Sequence, residues 1–99
     1  MKITFERTGG LIGRTVSLNL DLDEMPADQS TTLRRLVDES GFFELEELSI
    51  KTSRPDEFIY TITIVSKTIQ HTVRTSDSSA PEVLRPLLSE LSTHAKSSR

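Results

Sequence analysis

A two-residue period constrains this chain more than anything else in it. Across residues 58–65, Phe58, Tyr60, Ile62 and Ile64 fall on one side, while Ile59, Thr61, Thr63 and Val65 fall on the other. A strand points successive side chains to opposite faces, so such a run buries one face and leaves the other wetter. The same period recurs three times. Ile3 and Phe5 alternate with Thr4 and Glu6 in residues 2–7. Val16, Leu18, Leu20 and Leu22 alternate with Ser17, Asn19 and Asp21 in residues 14–22. Ile69, His71 and Val73 share a side in residues 68–75. The glycine-rich turn Thr8–Gly13 joins the first two runs and Ser66-Lys67 joins the last two. That pattern reads as two β-hairpins.

Between and after the hairpins the period changes to that of a helix. Leu33, Leu36 and Val37 recur at helical spacing over residues 26–40, Pro26 suits a first turn, and Ser40-Gly41 reads as a left-handed helix end. Arg34, Arg35, Asp38 and Glu39 take the solvent face. Phe42, Phe43, Leu45, Leu48 and Ile50, interleaved with Glu44, Glu46 and Glu47, support either a short helical turn or an edge strand. Residues 51–57 carry no apolar anchor and read as a loop. Ser79-Ala80-Pro81-Glu82 fits a capping box. Val83, Leu84, Leu87, Leu88, Leu91 and Ala95 then form the apolar stripe of a second helix. Pro86 lacks a backbone donor and predicts a kinked or tightened start.

The order ββαββα predicts an α+β domain: a four-stranded antiparallel sheet with both helices packed on one face. Residues 1–93 form the single domain and 94–99 a frayed polar tail. With the first strand rising, the 8–13 turn, the 51–57 loop and the 76–79 segment share one end. Ser66-Lys67 lies at the other. A first helix of about 15 residues spans roughly 22 Å, enough to carry the chain back to the end holding the 8–13 turn.

Composition narrows the function. The 99 residues include no cysteine, no tryptophan and two histidines, His71 and His94. Disulfides, thiol nucleophiles, zinc–thiolate sites and iron–sulfur clusters are therefore excluded. A formal charge of −3 argues against a dedicated nucleic-acid binder. No run approaches the roughly 18 apolar residues of a membrane span. The first ten residues lack a signal peptide's apolar centre, which favours the cytoplasm. No phosphate-binding, nucleophile-elbow, zinc-protease or calcium-loop motif is present. Asp21, Asp23 and Glu24 read as a solvated strand end, His71 as a buried hydrogen-bonded residue and His94 as exposed. Arg74 and Arg85 read as surface or ion-pair residues. No cofactor or metal site is expected, and a binding module fits better than an enzyme. The Thr8–Gly13 turn holds three glycines and displays Leu11 and Ile12. It is either a bulged turn folded back on the core or an exposed apolar tip built for binding.

Four phrases in series resemble one family. Phe5-Glu6-Arg7-Thr8-Gly9-Gly10-Leu11-Ile12-Gly13 is similar to the opening of the emfourins. Pro55-Asp56-Glu57-Phe58-Ile59-Tyr60-Thr61-Ile62-Thr63 looks like one of their strands. His71-Thr72-Val73-Arg74 and Ala80-Pro81-Glu82-Val83-Leu84-Arg85-Pro86-Leu87-Leu88 match later landmarks. The resemblance runs from Met1 to about Leu91. It departs at Leu11, where Phe is frequent, and at Ser89-Glu90-Leu91, where a Trp often precedes the last Leu.

Emfourins are small inhibitors of protealysin-like zinc metalloproteases of the thermolysin type. The resemblance thus implies such a protease as partner, an inhibitor that is monomeric when free, and no catalytic residue. It implies contacts from Thr8, Gly9, Gly10, Leu11, Ile12 and Gly13, with Arg54, Asp56 and Glu57 flanking them. Leu11 or Ile12 would fill the protease's hydrophobic pocket, and Asp56 or Glu57 approaching the zinc is the alternative. A non-inhibitory interaction domain using the same edge is the competing reading. An enzyme built on His71 lacks any nucleophile that the sequence can place beside it.

Overall fold

A computed structural model of the chain describes residues 1–9, 15–45, 57–77 and 79–97. It contains strands β1 (Lys2–Gly9), β2 (Val16–Asp21), β3 (Phe58–Ser66) and β4 (Ile69–Ser76). Helices α1 (Ala27–Ser40) and α2 (Arg85–Ser97) complete the expected order ββαββα. The four strands form one antiparallel sheet in the order β2-β1-β3-β4. The first strand therefore lies inside the sheet, paired on both sides.

Register follows the alternation. Leu18, Phe5, Ile62 and Val73 form one row across the sheet, and Leu20, Ile3, Ile64 and His71 form the next. All of these apolar residues belong to or pack on a single core. The helices meet this face through Leu33 and Val37 of α1 and Leu87, Leu88 and Leu91 of α2, all buried. The opposite face carries Thr4, Asn19, Thr63 and Thr72 in one row, with side-chain hydrogen bonds Thr4 to Asn19 and Thr63 to Thr72.

The helix ends follow from local chemistry. Gly41 closes α1 with φ +63°, and its N–H reaches the carbonyls of Val37 and Asp38. Glycine adopts that left-handed conformation without a Cβ penalty. Pro26 sits one position earlier than a first-turn residue, as the N-cap. Asp28 places a carboxylate in the first turn, where the helix dipole favours it. After Gly41, Phe42–Glu44 form a single 3-10 turn that buries Phe42. The helical alternative for this stretch is thus the one observed as far as Glu44, and Glu46–Ile50 fall outside the described residues.

Several expectations are corrected. The capping box does not form, because Pro81 leads a 3-10 turn over Glu82–Leu84 with no side-chain cap. The Ser79 hydroxyl is engaged instead by Ser76 Oγ, 2.9 Å away. That 3-10 turn also resolves Pro86. It stands second in α2, where an N–H has no intrahelical acceptor in any case. Val83 is 53 % exposed and stands off the apolar stripe. Ile69 is likewise 57 % exposed at the start of β4. The two-residue β3–β4 connection is Lys67-Thr68, one position later than expected, with Ser66 paired to Ile69 and Lys67 at φ +54°. α2 runs through His94 to Ser97. His94 is mostly covered and lies 3.4 Å from Glu90 one turn away.

Candidate functional site

The register places three connections at one end of the sheet, as the simple trace predicts. Gly9 pairs with Phe58, so the start of the 8–13 turn lies beside the end of the 51–57 loop. Ile59 pairs with Ser76, which brings the 76–79 segment to the same end. Val16, where β2 begins, lies opposite Arg7. Met1, the Asp21–Asp23 turn and Lys67 occupy the other end. There Asp23 takes the N-terminal ammonium at 3.4 Å and Arg34 at 2.8 Å, so this exposed member of the acidic cluster is ion-paired at a solvated strand end.

One part of the trace is corrected. The turn that follows α1 packs Phe42 against the His71 ring, 5.5 Å between centroids. His71 donates from Nε2 to the Leu45 carbonyl, which fits the structural role expected of it. His71 is level with Ile64, six residues along β3 from Phe58, roughly 20 Å at the usual strand rise. The helix therefore stops well short of the end that carries the 8–13 turn.

Of the residues expected to bind a partner, Thr8, Gly9 and Glu57 are described. Gly10, Leu11, Ile12, Gly13, Arg54 and Asp56 lie outside the described residues. Gly9 has φ +99°, and a Cβ there would meet the Glu57 carbonyl oxygen at 2.5 Å. No side chain fits between two backbones that close. The β1 end and the last residue of the 51–57 loop thus meet through bare backbone.

Neighbouring side chains lock this contact in place. Arg7 continues the period of Ile3 and Phe5, which puts it on the core face at the sheet's end. Its guanidinium lies 4.8 Å over the Phe58 ring, and its buried Nε has no hydrogen-bond partner among the described residues. A cation over an aromatic face contributes about 0.5–2 kcal/mol. Phe58 contacts Tyr60 at 6.5 Å, and Tyr60 stacks on Phe5 at 6.0 Å. The ring ladder thus runs from the exposed end into the buried core.

Asp77 closes the third side. One carboxylate oxygen accepts from the Tyr60 hydroxyl at 2.6 Å and the other from the Phe58 N–H at 3.1 Å. Its own N–H donates to the Phe58 carbonyl at 3.2 Å, and its carbonyl accepts from Arg85 at 3.2 Å. Burial first, and then this carboxylate, hold the Tyr60 phenol above its ordinary range. The following turn is tied back by Ser79 and Ala80 N–H groups donating to the Ser76 carbonyl at 3.2 and 2.9 Å.

The sequence reading passes over Arg7 and Asp77. The signals were present: Arg7 falls on the apolar side of its strand, and Asp77 immediately follows the last alternating run. Chemically, the site offers backbone, aromatic surface and fixed loop ends. Among the described residues, no group of three acidic or histidine side chains is placed to hold a metal ion. No helix among them is long and apolar enough to cross a membrane.

Compared with known families, the chain matches the family model described as Emfourin over residues 5–92. That span holds the greater part of β1, all of β2, β3 and β4, α1 and most of α2. No curated protein and no solved structure matches the chain.

Proposed function

The chain belongs to the Emfourin family, and on that premise we propose that it inhibits a protealysin- or thermolysin-like zinc metalloprotease by occupying the cleft. Membership itself suggests a metalloprotease inhibitor, with a protease as its partner and no catalysis of its own. The observation that carries the finer reading is the convergence of Gly9, Glu57 and Ser76 at one sheet end.

In this reading the 8–13 turn enters the cleft. Leu11 or Ile12 fills the hydrophobic pocket just beyond the scissile position. Gly9 and Gly10 allow close backbone approach, while Thr8 and Gly13 carry the turn in and out. Arg54, Asp56 and Glu57 supply flanking contacts, and the 76–79 segment supports them from β4. The zinc and its activated water belong to the protease. A loop whose ends are already fixed loses less entropy on binding than a free peptide does. It also resists cleavage when its carbonyl is held away from the attacking water.

Replacing Leu11 by Asp tests the assignment. Burial of a leucine is worth about 1.5–3 kcal/mol, and a carboxylate in an apolar pocket adds a further penalty. The inhibition constant against a thermolysin-like protease should rise about a hundredfold or more, with the urea midpoint unchanged. Unaltered inhibition would remove the 8–13 turn from the interface. A wild-type chain without effect on any such protease would favour an interaction domain that binds another partner.

A further inference from the structure

Asp77 is exposed, yet it takes part in four hydrogen bonds to three other residues. Surface carboxylates ordinarily point into water, where an isolated pair contributes little. This one is held on both oxygens, and one of its donors is a backbone N–H. β4 ends at Ser76, opposite Ile59. Asp77 extends the pairing by one residue, using its backbone and its side chain together against Phe58. Phe58 is in turn the register partner of Gly9 and the platform for Arg7. Through Arg85, the same residue joins the first residue of α2. The Asp77 carboxylate thus ties the end of β3 to the chain just beyond β4, beside the residue that pairs with the end of β1.

We propose that Asp77 is a positioning residue for protease binding: it holds the functional end in its binding geometry without touching the protease. This rests on the inhibitor reading above. Removing its carboxylate leaves the Tyr60 hydroxyl and the Phe58 N–H without their acceptor, while the core beneath is untouched. The end then samples several arrangements, and only a fraction of molecules is competent at any moment. Apparent affinity falls by that fraction. When the arrangements interchange quickly, the loss appears in the association rate. The complex, once formed, is held by the same contacts and dissociates at the same rate. A residue that touched the protease would behave in the opposite way, since lost contacts act mainly on dissociation.

The test measures association and dissociation rates with a thermolysin-like protease that the wild-type chain inhibits. Asp77→Ala should slow association about tenfold and leave dissociation within twofold. Tyr60→Phe, which removes one of the two side-chain bonds, should slow association by about threefold. Faster dissociation with unchanged association would make Asp77 a contact residue and overturn the proposal. Unchanged rates in a folded Asp77→Ala would overturn it as well. If Asp77→Ala does not fold, Tyr60→Phe and Asp77→Asn decide by the same two rates. Wild-type chain that inhibits no such protease defeats the inhibitor reading itself. Inhibition by wild type with unaltered variants defeats only the role of Asp77.

Discussion

At the scale of single residues, Gly9 bears the heavier constraint of the two glycines described, Gly9 and Gly41. Its φ of +99° is strained for any side chain, and its missing Cβ leaves room for the Glu57 carbonyl. Both penalties fall on Gly9→Ala. Strained backbone costs about 1–3 kcal/mol, and the clash must push one strand end from its neighbour. We expect the urea midpoint to fall by the equivalent of about 2 kcal/mol or more, with an unchanged slope, and inhibition to weaken alongside. A midpoint within error of wild type would mean that the end rearranges freely. The sequence shows three glycines in the turn but cannot rank them, because the carbonyl that excludes a Cβ comes from a distant part of the chain. Arg7 was hidden for a related reason. Its position is apolar by period, and the ring of Phe58, which receives its guanidinium, is supplied by a distant part of the chain.

At the scale of elements, strands were legible because one face is buried and a one-residue slip would expose it. Phe5, Ile62 and Val73 occupy the row that their alternation predicts, each fully buried. Helix starts were less legible. Ser79 and Glu82 have the spacing of a capping box, but the Ser79 hydroxyl is engaged by Ser76 and Pro81 opens a 3-10 turn. The competing partner arrives with β4, which local spacing does not report. The β3–β4 hairpin offers its own prediction. Tyr60 of β3 is tied to Asp77 just beyond β4, and its phenol is held above the usual range by burial and by that carboxylate. An unfolded tyrosine ionises near pH 10. The folded group resists ionisation, so high pH favours the unfolded chain. The contribution is therefore full below about pH 10 and is lost as pH rises from there through the folded value. Since Tyr60 is the only tyrosine, its phenolate absorbance follows the titration directly. Native protein should titrate above the unfolded protein, and wild-type stability should fall beyond pH 10. In Tyr60→Phe that fall should be absent. Equal titration of native and unfolded protein would show that the hairpin staple does not form.

At the scale of the whole molecule, the scaffold and the proposed binding end share one body. The radius of gyration, 13.1 Å, is that of a compact domain of this length. Among the described residues the buried apolar side chains form one cluster, running from Ile3 and Leu22 near one end to Tyr60, Ala80 and Leu84 near the other. With no cysteine in the chain, that continuity takes the place a disulfide fills in many small inhibitors. The sequence made this arrangement readable as far as the hairpins and helices go. What it did not convey is how far the core reaches beneath the three connections, because that depends on the register of β1 between β2 and β3. A single cluster has a consequence for unfolding. If the functional end is braced by the core, it cannot loosen before the core does. Near-ultraviolet dichroism from Tyr60, which reports that end, and far-ultraviolet dichroism, which reports the backbone as a whole, should then give coincident urea transitions. An earlier Tyr60 transition would mean that the end opens as a separate unit. In that case the fixed loop ends could not supply the ordering on which the proposed cleavage-resistant binding rests.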